Sequence, residues 1–265
     1  MAIPSKATKS TAKSALKGNW LVASSACLTF VSAIILVFFS CSLLALVVPS
    51  FVAEIVLYIL IVFLIAPIFL GLIRFFKNLI FEKITNISEI FVYLSSVSAY
   101  KRALRLILEL LVRAIFYGII CFLPAGTVKL ITTEFFFGIL NIDIPLWTQS
   151  LNTLLAFLLG IGALATFIIM LRYYLAPFLL VGDDDMTVGE AIHMATIISR
   201  RSSNELWGLI LSFTGWILLS LLMIPLTFTL PYFLCSLLVH CRFAITNYNL
   251  SLQQKNIYTF KEGAL

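Results

Sequence analysis

"DDDMTVGEAIHMATIISRRSSNELW", residues 183–207, is the most polar long stretch of a chain that runs apolar on both sides of it. It is either a reaction centre or the place where a membrane protein surfaces into water, and the choice decides the fold. Composition favours the second. Hydrophobic residues make up 62% of the chain and charged residues 11%, against roughly a quarter charged in soluble domains. Apolar runs of eighteen or more residues recur along the whole length. At about 1.5 Å per residue each crosses a hydrocarbon core of roughly 30 Å.

Working outward, six spans are expected: Trp20–Val48, Phe51–Ile73, Leu104–Phe122, Leu151–Leu171, Leu206–Met223 and Leu226–Phe243. Backbone groups in lipid must be satisfied within their own segment, and runs without strand alternation mean helices. The expected fold is therefore an all-α, polytopic membrane bundle with two further cytoplasmic interfacial helices. A basic segment (1–19) precedes one transmembrane domain (20–246), and a cytoplasmic tail (247–265) follows it. Pro225 and Pro231 bracket "PLTFTLP". The last pair is thus either two spans or a shallow re-entrant hairpin, and either returns the chain to the side it left.

Sixteen of the eighteen Lys and Arg residues fall on one side of this arrangement. Lys129 lies on the other side and Arg113 inside a span. Short basic loops stay cytoplasmic, so both termini are expected in the cytoplasm, with the protein in the cell membrane. Trp20, Trp147 and Trp207 at expected span ends agree with these boundaries. The first apolar run is too long for a cleavable signal and is expected to remain as an anchor. Cys27, Cys41, Cys121, Cys235 and Cys241 lie scattered in apolar runs without C-x-x-C spacing. They read as buried small hydrophobes.

The two connections on the basic side share a design. Asn86-x-x-Glu89 and Thr187-x-x-Glu190 each read as a capping box, in which the cap side chain and the carboxylate three residues later satisfy orphan amides. Lys101-Arg102 and Arg200-Arg201 follow near the helix ends, and Pro124 and Pro225 are expected to close the following spans. Asn86 and Thr187, Glu89 and Glu190, and Pro124 and Pro225 each differ by 101 positions, the mark of a duplication or of common helix grammar. In the second connection Ala191, Ile192, Ala195 and Ile198 stripe one face, while Glu190, His193, Arg200 and Arg201 lie elsewhere. Such a helix is expected to rest in the interface with its apolar stripe in the acyl boundary.

Chemistry is scarce. The three aspartates have no EF-hand spacing, His193 and His240 form no H-E-x-x-H, and no G-x-S-x-G elbow or phosphate loop occurs. No catalytic residue, metal site or cofactor is expected. The polar candidate is Arg105, Glu109 and Arg113, which with Arg102 before them step by three, four and four. One reading is a hydrophilic seam entering the bundle, since ions within a membrane usually face its interior. The other, favoured by the long apolar sequence after Arg113, is a surface helix with snorkelling side chains. Lys6, Lys9, Lys13 and Lys17 repeat this spacing and make one cationic face. Anionic lipid headgroups on the cytoplasmic side are the expected partner, a membrane protein a possible one, and nucleic acid is not expected.

"AKSALKGNW", "APIFLGLIRFFKNL", "YYLAPFLLVGDDDMTVGEAIHMATIISRRSSNELWGLILSFTGWILL" and "LPYF" together resemble the bacterial integral membrane family called domain of unknown function 975. The chain is also distantly similar to the membrane region of some glycerophosphodiester phosphodiesterases, where a Ser following the "GEAI" helix corresponds to Ser199. The resemblance implies a multi-pass membrane protein without an assigned activity, and it supplies no catalytic residues. A non-enzymatic accessory or lipid- or partner-binding protein is expected first, a small-solute or lipid permease second, and a lipid-modifying enzyme third.

Overall fold

The structure, a computed structural model, describes residues 5–83, 86–131, 148–220 and 226–262. Nearly all of these are helical, and no strand occurs among them. The order is α1 (Ser5–Leu16), α2 (Trp20–Leu44), α3 (Ser50–Glu82), a 3₁₀ turn (Ile87–Phe91) leading into α4 (Val92–Ser95), and α5 (Val97–Ile131). Then come α6 (Thr148–Met170), a 3₁₀ turn (Leu171–Tyr173), α7 (Ala176–Gly182), α8 (Val188–Ser220) and α9 (Leu226–Glu262).

Among the described residues five helical runs are long and apolar enough to cross a membrane: Trp20–Leu44, Ser50–Glu82, Val97–Leu130, Asn152–Gly182 and Thr227–Gln253. The all-α bundle stands. The expected span Leu206–Met223 ends in residues outside those described, and Trp147 and Pro225 also lie outside them. Pro124 does not close its span: it lies inside α5, which runs on to Ile131.

The chain divides into two compact units, residues 1–107 with 174–265, and residues 108–173. In the first, Phe75, Phe76, Leu70, Leu72, Leu79, Ile90, Leu106, Leu175 and Leu180 form the core. The closest backbone approach is at Gly71 on α3, where an added Cβ would stand 1.9 Å from the Ile90 carbonyl oxygen. Only a residue without a Cβ lets the 3₁₀ turn seat there. In the second unit, Gly162 on α6 faces the Cys121 carbonyl and the Phe122 ring of α5, each 3.0 Å from the place of a Cβ. Large apolar side chains of this unit point outward, with Val112, Phe116 and Phe157 all more than half exposed. That is the surface expected where lipid is the solvent.

Two prolines inside helices free carbonyls that other elements then use. Proline has no N–H, so the carbonyl four residues earlier loses its helical donor. Pro67 follows the π segment Ile61–Ile65 of α3, and the Phe63 carbonyl accepts from the Tyr100 hydroxyl at 3.0 Å. Pro231 lies inside α9, so "PLTFTLP" is not one turn between two prolines, and the Thr227 carbonyl accepts from the Ser24 hydroxyl at 3.2 Å. Each proline thereby ties its helix to a neighbour.

That second tie places the start of α9. Trp20, the first residue of α2, packs its ring 6.4 Å from both Phe228 and Tyr232. Farther along α9, Arg242 lies over the Phe81 ring at 4.2 Å, and Phe81 belongs to the last turn of α3. α2 and α3 are consecutive helices joined at residues 45–49 and pack through Phe30 and Phe69, 5.8 Å apart. The start of α2 and the end of α3 therefore lie at the same end of this pair. Residues 228 and 242 are separated by about 21 Å of helix, yet both reach that end. Between these two contacts Leu234, Leu237, Leu238 and Cys241 of α9 line a cavity with Phe69, Ile73 and Phe76 of α3.

Candidate functional site

The connections that hold most of the charge meet within the first unit. Arg74, near the end of α3, pairs through Nε with Glu89 Oε2 at 3.1 Å, and its Nη1 stands 3.9 Å from Asp184 Oδ1. Arg102, in the first turns of α5, pairs with the same Asp184 oxygen at 3.3 Å. Arg102 also donates through Nη2 to the Asp183 and Met186 carbonyls, the latter at 2.9 Å. Lys77 donates to the Val181 carbonyl at 3.4 Å. The acidic loop is thus held by cations from two helices. Asp183 meanwhile accepts the Asp185 amide at 2.9 Å, closing a local turn.

Tyr93 is buried beside this network. Burial pushes its phenol above the ordinary value, and the neighbouring Arg74 charge pulls the other way. Neither Arg74 nor Arg102 is fully solvated, their side chains being 30% and 21% exposed. Their bonds are charge-assisted and shared among several acceptors, the arrangement that makes a partly buried ion pair hold.

The two expected capping boxes part company here. Thr187 and Glu190 form one in full: the Thr187 amide donates to Glu190 Oε2 at 2.9 Å, and the Glu190 amide donates to Thr187 Oγ1 at 3.3 Å. These bonds hold the Glu190 carboxyl below its ordinary value. Asn86 caps the 3₁₀ turn through the Ser88 amide at 3.1 Å, but Glu89 does not reach back. Its carboxylate is spent on Arg74 instead. The first connection is therefore a short 3₁₀ turn and α4, broken at Ser96, which has extended φ and ψ of −125° and 129°. Lys101, Arg102 and Arg105 belong to α5.

The second connection helix is also not a separate interfacial one, because α8 runs unbroken from Val188 to Ser220. Its expected stripe is real, with Ala191, Ile192, Ala195 and Ile198 all nearly inaccessible. The chain itself covers that face through α7 and α9, so the expectation that it rests in lipid is corrected. His193 and Arg200 are exposed. Arg201 donates to Ser251 Oγ at 2.8 Å, packs over Tyr248, and lines a cavity of about 350 Å³ with Ser202, Glu205 and Asn247. Ser199 is buried and bonded to the Thr196 carbonyl at 3.3 Å.

In the second unit, Arg113 Nη1 pairs with Glu109 Oε2 at 3.4 Å, bonds the Glu109 carbonyl at 3.1 Å, and lies 5.8 Å over the Tyr173 ring. Both side chains are about one-third exposed. Arg105 and Glu109 each hold further contacts. The rest of α5 beyond Arg113 extends about 27 Å.

A profile of the family described as "Protein of unknown function (DUF975)" matches residues 1–253. The chain belongs to that family. No curated protein and no solved structure matches the chain. Within this DUF975 protein, Arg74, Glu89, Arg102 and Asp184 form a network that no local spacing in the sequence announces. Its one visible signal was a run of three acids without cations at helical spacing. Arg74 and Asp184 lie 110 positions apart in the chain, beyond the reach of any helical period.

Proposed function

We propose that this DUF975 protein is a non-enzymatic, multi-pass protein of the cell membrane whose basic, cytoplasmic end binds anionic lipid, with a membrane protein as a further partner. The observation that carries the proposal is the division of labour among the charges. Of the acids in the 183–190 loop, Asp184 and Glu190 are engaged within the chain, through Arg74, Arg102 and the Thr187 cap. Lys6 and Lys13 on α1, and Lys17 just after it, are by contrast exposed. Lys9 anchors that helix by donating to the Ser212 carbonyl at 2.8 Å and lying 4.2 Å over the Phe213 ring. A helix held in place with exposed lysines suits an anionic leaflet, each cation near the surface contributing about 1 kcal/mol.

In this reading α2, α3, α5 and α6 cross the bilayer, and α8 with α9 form the re-entrant alternative. Support comes from the contact of Phe228 and Tyr232 with Trp20, at the basic end of α2. A hairpin that crossed fully would carry its tip to the level of Leu44, about 36 Å away along α2. Both termini then lie in the cytoplasm. Reporter fusions at residue 185 and at each terminus test this, all three being expected on the cytoplasmic side. Native mass spectrometry of protein extracted with its lipids tests the binding, with retained anionic lipid the expected result. A periplasmic 185 fusion, or exclusive retention of zwitterionic lipid, defeats the proposal.

A permease is the second reading, favoured by the Glu109–Arg113 pair within a 35-residue apolar helix. Loss of solute flux in Glu109→Gln and Arg113→Gln, with folding intact, would select it.

A further inference from the structure

A cavity of about 450 Å³ opens where α1, α2, α8 and α9 meet, lined by Lys13, Trp20, Trp216, Phe228, Thr229 and Tyr232. It lies in the size range of small-molecule sites, which are mostly apolar with a few placed polar groups. Its walls fit that description: four aromatic residues, one of them the phenol Tyr232, with one cation and the Thr229 hydroxyl. Thr229 is 5% exposed, and its Oγ1 has no hydrogen-bond partner among the described residues. A buried hydroxyl left unpaired costs free energy comparable to a lost hydrogen bond, which a ligand oxygen would recover once the Thr229 side chain turns its now inaccessible Oγ1 toward the cavity. Lys13 is exposed on α1, so its ammonium is available to an anion that enters from the surface. Trp216 and Phe228 remain about half exposed, and Leu21 beside Trp20 is 83% exposed. The apolar lining thus continues outward onto an apolar surface.

We infer that this cavity is a binding site for one anionic membrane lipid, with its charged head at Lys13 and the Thr229 hydroxyl and the upper part of an acyl chain between Trp20, Trp216 and Phe228. The inference rests on the lipid-binding reading above and gives it a definite place. A soluble anion would leave the aromatic walls unfilled, and a neutral lipid would leave Lys13 uncompensated. Phosphate and carboxylate heads satisfy the same two groups, so the test separates them.

Two of the walls are tryptophans, which makes occupancy readable by fluorescence. With Trp147→Phe and Trp207→Phe, only Trp20 and Trp216 remain. This protein is reconstituted in phosphatidylcholine vesicles that contain a small fraction of acyl-dibrominated phosphatidylglycerol or, separately, the same fraction of dibrominated phosphatidylcholine. The anionic quencher is expected to be enriched about fivefold over the zwitterionic one, the factor that a single lysine near a membrane surface supplies. Lys13→Gln is expected to bring the two quenchers to near parity, and Thr229→Val to reduce the preference without changing fold or vesicle insertion. The Lys6→Gln, Lys17→Gln double variant is expected to keep it.

Parity in the starting protein overturns the site and, with it, the lipid form of the broader reading. A preference that survives Lys13→Gln but falls with the Lys6, Lys17 pair overturns the site alone and leaves a diffuse cationic surface. Quenching by dibromostearate that dibrominated phosphatidylglycerol cannot displace overturns the assignment to a phospholipid.

Discussion

Arg74, Glu89, Arg102 and Asp184 come from four separated parts of the chain and meet in one network, whereas Glu109 and Arg113 are neighbours on a single helix face. The residue types are the same. In the network each arginine bridges elements that are far apart in sequence, so removing one side chain takes a donor from acceptors on another element. In the helical pair the partners are placed by the backbone whether or not they interact, and such pairs contribute only tenths of a kcal/mol. Charged residues in this protein therefore matter in proportion to the distance in sequence that they span.

The most severe way to break the comparison is to unseat the network without touching a charge. Gly71→Ala drives a Cβ into the Ile90 carbonyl, backbone against backbone with no flexible side chain to yield. A loss of about 3 kcal/mol is expected from such overpacking, measured by denaturant unfolding in detergent. The 87–95 segment should then exchange amide hydrogens faster. Retained stability would mean that the 3₁₀ turn is not fixed to α3.

Next in size is Arg102→Ala, which leaves the Asp183 and Met186 carbonyls and the Asp184 carboxylate without this donor. About 2 kcal/mol is expected, in the range for bonds to charged groups. Hydrogen exchange should rise selectively at residues 183–187. Equal effects from Arg102→Ala and Arg113→Ala would abolish the distinction between the two clusters.

A smaller change is expected from Glu109→Gln, at most about 0.5 kcal/mol in stability by the same unfolding assay. If solute flux falls while stability is kept, the pair has a role beyond helix support. The smallest effect is at Glu190. Its carboxyl lies below its ordinary value of 4.5 in the folded chain, so its contribution is complete above that pH. It is lost as pH falls through the lowered folded value, where the proton displaces the Thr187 bonds. Wild type should lose stability relative to Glu190→Gln on acidification below about pH 4.5, the difference being read from unfolding curves at several pH values.

Much of the architecture was legible before any coordinates. Long apolar runs, the capping box at Thr187 and the apolar stripe Ala191, Ile192, Ala195, Ile198 all depend on neighbours within four positions, and all form, although the stripe meets the chain itself rather than lipid. The same local rules misread Glu89, because a carboxylate three residues after Asn86 looks like a cap until Arg74 competes for it. They also misread Pro124 and Pro231 as helix ends. A helix with tertiary support tolerates a proline, and at Pro231 the freed carbonyl finds a donor in Ser24, 203 residues from Thr227 in sequence.

By itself the sequence determined the all-α class, the helices of membrane-spanning length and the uneven placement of positive charge. Each follows from composition and from a fixed rise per residue set against a bilayer of fixed thickness. Which arginine meets which acid, and that the start of α9 returns to Trp20 and leaves a cavity beside Lys13, were decided only by the tertiary structure. Those contacts join residues far apart along the chain, and hydrogen bonding or ring packing between distant segments leaves no periodic trace in the order of the amino acids.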